Sequence, residues 1–310
     1  MKIHRLELNS QANLKDINLT IGNFDGIHLG HQSLIKFLVE KSKKMNLLSS
    51  VMSFEPHPRY FFSEKKINFN IVTQNKKISL IEDLGVDNLI FLNFNESLSL
   101  LNPENFIKKI LIEKLKIKNL IIGYDFRFGK NREGNIDHLK KFSANNFSII
   151  NIEPQISNLT SETFSSSVVR EYIQKGNFEK VNSYLGRNWE MSGMVTSGEK
   201  RASKINFPTA NIIPPKIIHP KKGVYAIKAK FEDKYFNGIA NFGIRPTVDG
   251  QNKLLEAHLF DFDLNIYGKY LTVEFLTFIR EEIKFLNFDQ LTKQIHKDIE
   301  KVKIYHSQKK

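Results

Sequence analysis

No cysteine occurs anywhere in the 310 residues. Its absence excludes disulfides, thiol nucleophiles, thiolate zinc sites and cysteine-ligated iron–sulfur clusters, and it fits a reducing cytoplasm. No apolar run approaches the ~20 residues that a membrane helix needs, and the opening MKIHRLELNS lacks the apolar centre of a secretory signal. Internal repeats, low-complexity tracts and blocks of five or six like charges are also missing. The expectation is a cytoplasmic protein with no membrane segment.

The length suggests about two domains of ~150 residues. With 41% hydrophobic and 25% charged residues the composition is that of ordinary globular chains, so disordered and fibrous classes are out. The net charge of +13 raises the question of a nucleic-acid partner. The excess is spread evenly, +6 over residues 1–186 and +7 over 187–310. A nucleic-acid binder tends to concentrate Lys and Arg on one element and interleave aromatics. A diffuse lysine-rich surface instead favours solubility and small anions such as nucleotides, and that reading is adopted.

From residue 17 to about 153, apolar runs at Asn18–Gly22, Ser50–Phe54, Asp87–Phe94, Asn119–Tyr124 and Ser148–Ile152 alternate with helix-period segments at 30–45, 76–84, 103–116 and 136–145. Alternating β and α elements predict a parallel sheet covered by helices. Residues 165–186 read as two short helices split at Gly176-Asn177. Strand-like runs then crowd together at Trp189–Thr196, Gly223–Phe231, Tyr235–Asn241, Leu254–Phe260 and Leu271–Phe278, before one helix from about Phe288 to Ile304. That texture predicts a small barrel or sandwich closed by a helix, with domains at 1–186 and 187–310.

The segment Gly22-Asn23-Phe24-Asp25-Gly26-Ile27-His28-Leu29-Gly30-His31 runs from a strand into a helix. Its glycines allow tight turns and close approach of a ligand, and a helix N-terminus suits phosphate. His28 and His31 can donate to phosphate oxygens as charge develops. On these residues the chain resembles the HxGH nucleotidyltransferase superfamily. More closely it resembles the adenylyltransferase half of bifunctional riboflavin kinase/FMN adenylyltransferases. Phe54-Glu55-Pro56-His57-Pro58-Arg59 is similar to that family's flavin-side loop, which implies flavin contacts at Pro56, His57 and Pro58. The run from Gly123 to Gly134, with Asp125 and Arg127, is similar to its nucleotide-pocket stretch. Ser165-Ser166-Ser167-Val168-Val169-Arg170 resembles its Ser-Ser-Thr-x-x-Arg element.

Read without the family, Pro56 and Pro58 make a rigid turn, Asp125 and Arg127 a surface ion pair, and the serines a helix cap with a solvated Arg170. The resemblance implies an ATP site at Gly22, Phe24, Asp25, Gly30, Gly123, Asp125, Arg127, Ser165, Ser166 and Ser167, with His28, His31 and Arg170 catalytic. The implied fold is a Rossmann-like α/β nucleotidyltransferase domain followed by a small β-barrel kinase domain with a C-terminal helix.

In the second half, Phe207-Pro208-Thr209-Ala210-Asn211 resembles the Pro-Thr-Ala-Asn element of riboflavin kinases. Gly223-Val224-Tyr225-Ala226, the stretch from Gly238 to Thr247, Leu255 to Phe262, and Arg280 to Phe285 follow in the family's order. Thr209 and Asn211 offer hard oxygen ligands for magnesium–ATP, or form a plain polar turn. Alternation in Leu254–Phe260 puts Glu256 and His258 on one face, where Glu256 could be a general base or an exposed strand glutamate. The resemblance implies kinase-side ATP contacts at Gly198, Arg201, Lys204, Pro208, Thr209 and Asn211, flavin contacts at Asn241 and Arg280, and Mg2+ on Thr209 and Asn211. One stretch departs from the family. Where it has Gly, Arg and Gly, this chain has Ala202, Ser203 and Asn206. Lys204 supplies a charge one position later, and the expectation is a retained but weakened kinase.

The expected function is phosphorylation of riboflavin to FMN and adenylylation of FMN to FAD, with ATP and magnesium. The alternatives are an FMN adenylyltransferase with an impaired or inactive kinase domain, or a non-catalytic RNA-binding protein on the same scaffold. Partners are the small molecules riboflavin, FMN and ATP; no nucleic acid, membrane or oligomer is predicted.

Overall fold

A computed structural model describes residues 1–64, 68–143, 145–153, 163–196, 207–247 and 250–308. The sequence-predicted contacts at Gly198, Arg201 and Lys204 lie outside the described residues. Two compact units form: 1–69 with 74–166, and 70–73 with 167–310.

The first unit holds six strands, β1 (Lys2–Leu6), β2 (Ile17–Ile21), β3 (Leu48–Glu55), β4 (Asn88–Asn93), β5 (Asn119–Gly123) and β6 (Ser148–Ile152). They form one sheet in the order β1-β4-β3-β2-β5-β6, parallel throughout. Helices α1 (Leu29–Met45), α2 (Pro58–Phe61), α3 (Gln74–Glu82), α4 (Glu96–Ser99), α5 (Pro103–Phe106) and α6 (Ile136–Ser143) fill the connections. The central strands are buried almost without break because both of their faces are covered. Leu89 and Phe91 of β4 join Ile35 and Leu38 of α1 and Ile81 of α3 in one core. Ile90 and Leu92 join Phe106, Ile110 and Leu139 in the other.

Two differences from the expected elements have clear causes. β1 is an edge strand with exposed Lys2 and Ile3, so it carries no apolar run to read. The helix expected at 103–116 starts as α5 and continues as a π-helix over Ile107–Lys114. The wider winding, with Leu115 N–H bonded to the Ile110 carbonyl at 2.9 Å, leaves Ile107, Ile110, Leu111 and Leu115 all fully buried.

The second unit opens with α7 (Ser166–Lys175) and α8 (Phe178–Leu185), followed by β7 (Trp189–Thr196), β8 (Ala210–Ile212), β9 (Gly223–Phe231), β10 (Lys234–Thr247), β11 (Gly250–Leu259) and β12 (Tyr270–Arg280). These strands close a barrel in the order β10-β11-β8-β7-β12-β9. In this barrel β8 left no pattern in the sequence, being three residues long. Phe178 of α8 plugs an aromatic cluster with Trp189 (5.3 Å), Tyr225 (5.4 Å) and Phe275 (5.0 Å). Within the same unit Ile71 is fully buried, and its carbonyl takes the Trp189 indole N–H at 2.8 Å.

The closing helix, α9 (Phe288–Gln308), lays Val302 against Val224, Ala226 and Ile239. It is also pinned by charge. Arg280 gives Nε and Nη2 to one oxygen of Asp298 at 2.8 and 2.7 Å, and Gln294 takes the other oxygen at 2.8 Å. The Asp298 side chain is 2% exposed. Removing one member of such a pair strands a buried charge, so Asp298→Ala is expected to destabilise the second unit by about 3–5 kcal/mol in urea unfolding. A loss below about 1 kcal/mol would show the pair to be solvated.

Candidate active sites

In an open parallel sheet, ligands gather beyond the strand C-termini where the strand order reverses. Here β2, β3 and β4 progress one way from the middle and β5 and β6 the other, so the crevice falls between β2 and β5. The chain leaves β2 into Gly22–His31 and leaves β5 into Gly123–Arg127. Topology thus brings these two predicted stretches to one place.

The backbone from 22 to 28 takes an unusual path, with φ of 45° at Phe24, 81° at Gly26 and 44° at Ile27. Phe24 folds back so that a Cβ on Gly22 would lie 3.0 Å from its ring. His28 ends the loop as N-cap of α1, its Nδ1 accepting the His31 N–H at 3.3 Å. An accepting Nδ1 places the ring proton on Nε2, which makes that nitrogen a donor. The His28 and His31 rings stack with centroids 3.6 Å apart, and Phe164 lies beyond His28 at 6.5 Å. Gly30 is tightly packed here: a Cβ would sit 3.3 Å from the His28 ring and 3.1 Å from Phe164, so a side chain must push one of them aside.

Ser166 joins the serine motif to the loop, its Oγ donating to the Asp25 carbonyl at 2.8 Å. Asp25 is 2% exposed. Ser165 precedes Ser166, while Ser167 and Arg170 occupy the start of α7, where Arg170 is buried. Asp125 and Arg127 are exposed, on a loop that Phe128 anchors: its ring meets Phe126 and Phe106 at 5.5 Å, and it bridges to Gly134. At the end of β3, the Glu55–Pro56 bond is cis and His57 caps α2 by accepting the Arg59 N–H at 3.1 Å. Beside Pro56 and Pro58 stand Phe54, Phe61, Phe62 and Phe94, edge to face at 5.2–5.8 Å. Of these rings the sequence motif included Phe54 and left out Phe61, Phe62 and Phe94; together they offer an apolar wall to a flat ligand.

On the barrel, register decides the arrangement. Asn241 of β10 lies opposite Glu256 of β11, and Glu256 lies opposite Asn211 of β8. Paired residues share a face, so the three side chains form one row across three strands. Glu256 and His258 are partly exposed while Leu255, Ala257 and Leu259 point into the barrel, the alternation that the sequence predicted. Asn211 is buried, and its Nδ2 leans on the Thr209 carbonyl at 3.4 Å. Pro208 gives its carbonyl to His258 Nδ1 at 2.8 Å. Gly243, two residues beyond Asn241, has Glu282 packed where a side chain would be: Oε1 would lie 2.1 Å from a Cβ. Glu282 is therefore a further acid beside the row, hidden in sequence within an ordinary charged run. Arg280, predicted to meet flavin, has its guanidinium bonded to Asp298 and to the Glu281 carbonyl.

A family model described as FAD synthetase matches residues 10–168, and one described as riboflavin kinase matches 185–306. The chain belongs to the bifunctional riboflavin kinase/FMN adenylyltransferase family. A protein of that description from Buchnera aphidicola subsp. Schizaphis graminum is 43% identical over 94% of this chain and 96% of its own. Another from Haemophilus influenzae is 39% identical over 96% of each chain. Among solved structures, one described as a macrolide-efflux protein from Streptococcus pneumoniae superposes with a TM-score of 0.88 at 26% identity, covering 98% of this chain and 99% of that one. Among the described residues, no helix is long and apolar enough to cross a membrane.

Two substitutions test the histidine stack. His28→Ala removes a cap, expected to destabilise by about 1 kcal/mol, and a donor, expected to slow adenylyl transfer ~10²–10³-fold. Gly30→Ala displaces the same ring and should lower kcat in the same direction. Riboflavin phosphorylation by either variant should match the parent; an equal fall in both reactions would mean general misfolding.

Proposed function

We propose that this chain phosphorylates riboflavin to FMN with ATP, then adenylylates FMN to FAD with a second ATP and releases pyrophosphate. The observation that carries the reading is that the FAD synthetase and riboflavin kinase patterns match successive stretches of one chain, residues 10–168 and 185–306. Residues 1–186 serve as the adenylyltransferase and 187–310 as the kinase.

In adenylyl transfer, an oxygen of the FMN phosphate attacks the α-phosphorus of ATP, and the bond to the departing pyrophosphate breaks. The nucleophile is already ionised, so no base is needed and catalysis is positioning plus charge neutralisation. His28 through Nε2–H, His31 and Arg170 are the groups that neutralise the charge that develops. The Gly22–Gly30 loop with Phe24 and Asp25, the Gly123, Asp125 and Arg127 stretch, and Ser165–Ser167 hold ATP. Pro56, His57 and Pro58, backed by the aromatic wall, receive flavin.

In the kinase, Glu256 takes the proton from the riboflavin 5′-hydroxyl as that oxygen attacks the γ-phosphorus, and ADP leaves. Asn241, next in the row, faces the flavin side. Among the described residues no group of three or more His, Cys, Asp or Glu could hold a metal. Neutral oxygens of Thr209 and Asn211 nevertheless fit magnesium that keeps its waters and the nucleotide's phosphates. The ion supplies charge neutralisation on the phosphates. A cysteine-free chain supports a cytoplasmic enzyme, and its diffuse positive charge supports small anionic substrates over nucleic acid.

The purified chain, given ATP and magnesium, should yield FAD from riboflavin and from FMN, separated by chromatography. Chelation should stop both. Glu256→Gln should slow the riboflavin reaction ~10²–10⁴-fold and leave the FMN reaction intact. FAD from FMN alone would locate the failure at residues 202–206, and no product from either would end the enzymatic reading.

A further inference from the structure

The strained loop at 22–28 is held by its carbonyls, and each holder comes from a different element. The Ile27 carbonyl takes the amide of Gln32 of α1 at 2.9 Å. The Asp25 carbonyl takes the hydroxyl of Ser166 at 2.8 Å. The Asn23 carbonyl takes two donors: Nζ of Lys77 at 2.7 Å and Oγ of Ser53 at 3.1 Å. Those two also meet each other, at 3.3 Å. Three alternate carbonyls are thus clamped along the path that carries Phe24, Gly26 and Ile27 at positive φ.

Lys77 stands out among these holders. It lies in the first turn of α3, in Gln74-Asn75-Lys76-Lys77, a run that resembles any solvated helix face. Yet its ammonium is turned inward. Burial pushes its pKa down, while the carboxylates of Asp25 and Glu55 pull it up. A desolvated lysine is unfavourable unless its charge is matched and its donors are used. Here both conditions are met by groups at the ends of β2 and β3. Ser53 is itself fully buried.

We infer that Lys77, acting with Ser53 on the Asn23 carbonyl, is a positioning residue for adenylyl transfer: it fixes where the loop delivers His28 to the reacting phosphates. This rests on the adenylyltransferase reading above, and goes beyond it by assigning a residue outside every recognised motif. An ångström of misplacement at a reacting centre can slow a reaction ~10²-fold, and this loop has no regular secondary structure to hold it otherwise.

The test uses Lys77→Met, which keeps length and apolar bulk, Ser53→Ala, and the double variant. Amide hydrogen exchange over residues 23–28 should quicken in Lys77→Met by ~10-fold or more, whether or not the chain makes FAD. Adenylyl transfer should then lose ~10²-fold in kcat, with KM for ATP and FMN within about threefold. Riboflavin phosphorylation on the same chain should be unchanged, which reports that the protein is folded. Because both donors serve one carbonyl, the double variant should lose little more than Lys77→Met alone.

A kcat within about threefold of the parent, a rise in KM with kcat preserved, or strictly additive losses would each overturn the assignment. Should Lys77→Met fail to fold, Ser53→Ala decides: several-fold slower adenylyl transfer is expected, and no change overturns it. A parent chain without adenylyl transfer but with faster exchange in Lys77→Met would refute the functional reading while leaving the clamp in place.

Discussion

Seven residues at the end of the central strand set the terms for the first unit. Between Gly22 and His28 the chain turns through conformations that L-residues avoid, at about 1–2 kcal/mol for each non-glycine residue. What tips the balance is burial. Phe24 and Ile27 are each 1% exposed, and enclosing such side chains contributes about 1.5–3 kcal/mol apiece. The loop is therefore affordable only with its side chains inside the core that α1 and α3 complete. The start of α1, the His28 cap and the attachment of Ser166 all inherit their places from it.

The two units solve the same problem, presenting polar groups to a nucleotide, in different ways. A parallel sheet covered on both faces has no free face, so its chemistry is pushed out to the loops beyond β2, β3 and β5. A barrel keeps one face of each strand outside, so Asn211, Glu256 and Asn241 can stand on the strands themselves. Strand positions are stiffer than loops, and the row needs no clamps of the kind that surround residues 22–28.

β4 and β5 were legible because doubly covered strands read as nearly unbroken apolar runs, and Trp189–Thr196 because alternation marks a half-covered one. β1 and β8 were not, one being a charged edge and the other too short to carry a period. A one-dimensional pattern also hides winding, so the π-helix at Ile107–Lys114 looked like any amphipathic helix. His28, His31 and Glu256 were legible through their motifs. Lys77 and Glu282 were not, since a lysine among polar helix residues and a glutamate in a charged run look like any surface side chain until the fold sets one against the Asn23 carbonyl and the other against Gly243.

Asn70–Thr73 sit among residues of the second unit although residues 74–166 of the chain separate them from the rest of it; Ile71 and Trp189 are 118 apart. During synthesis, these four residues leave the ribosome long before the barrel that will enclose them exists. The barrel's aromatic core is completed by a guest from the other half. A gene fragment beginning at residue 187 would encode every strand of the barrel and still lack the carbonyl that its only tryptophan needs. The two activities can thus be separated by point substitution more cleanly than by scissors.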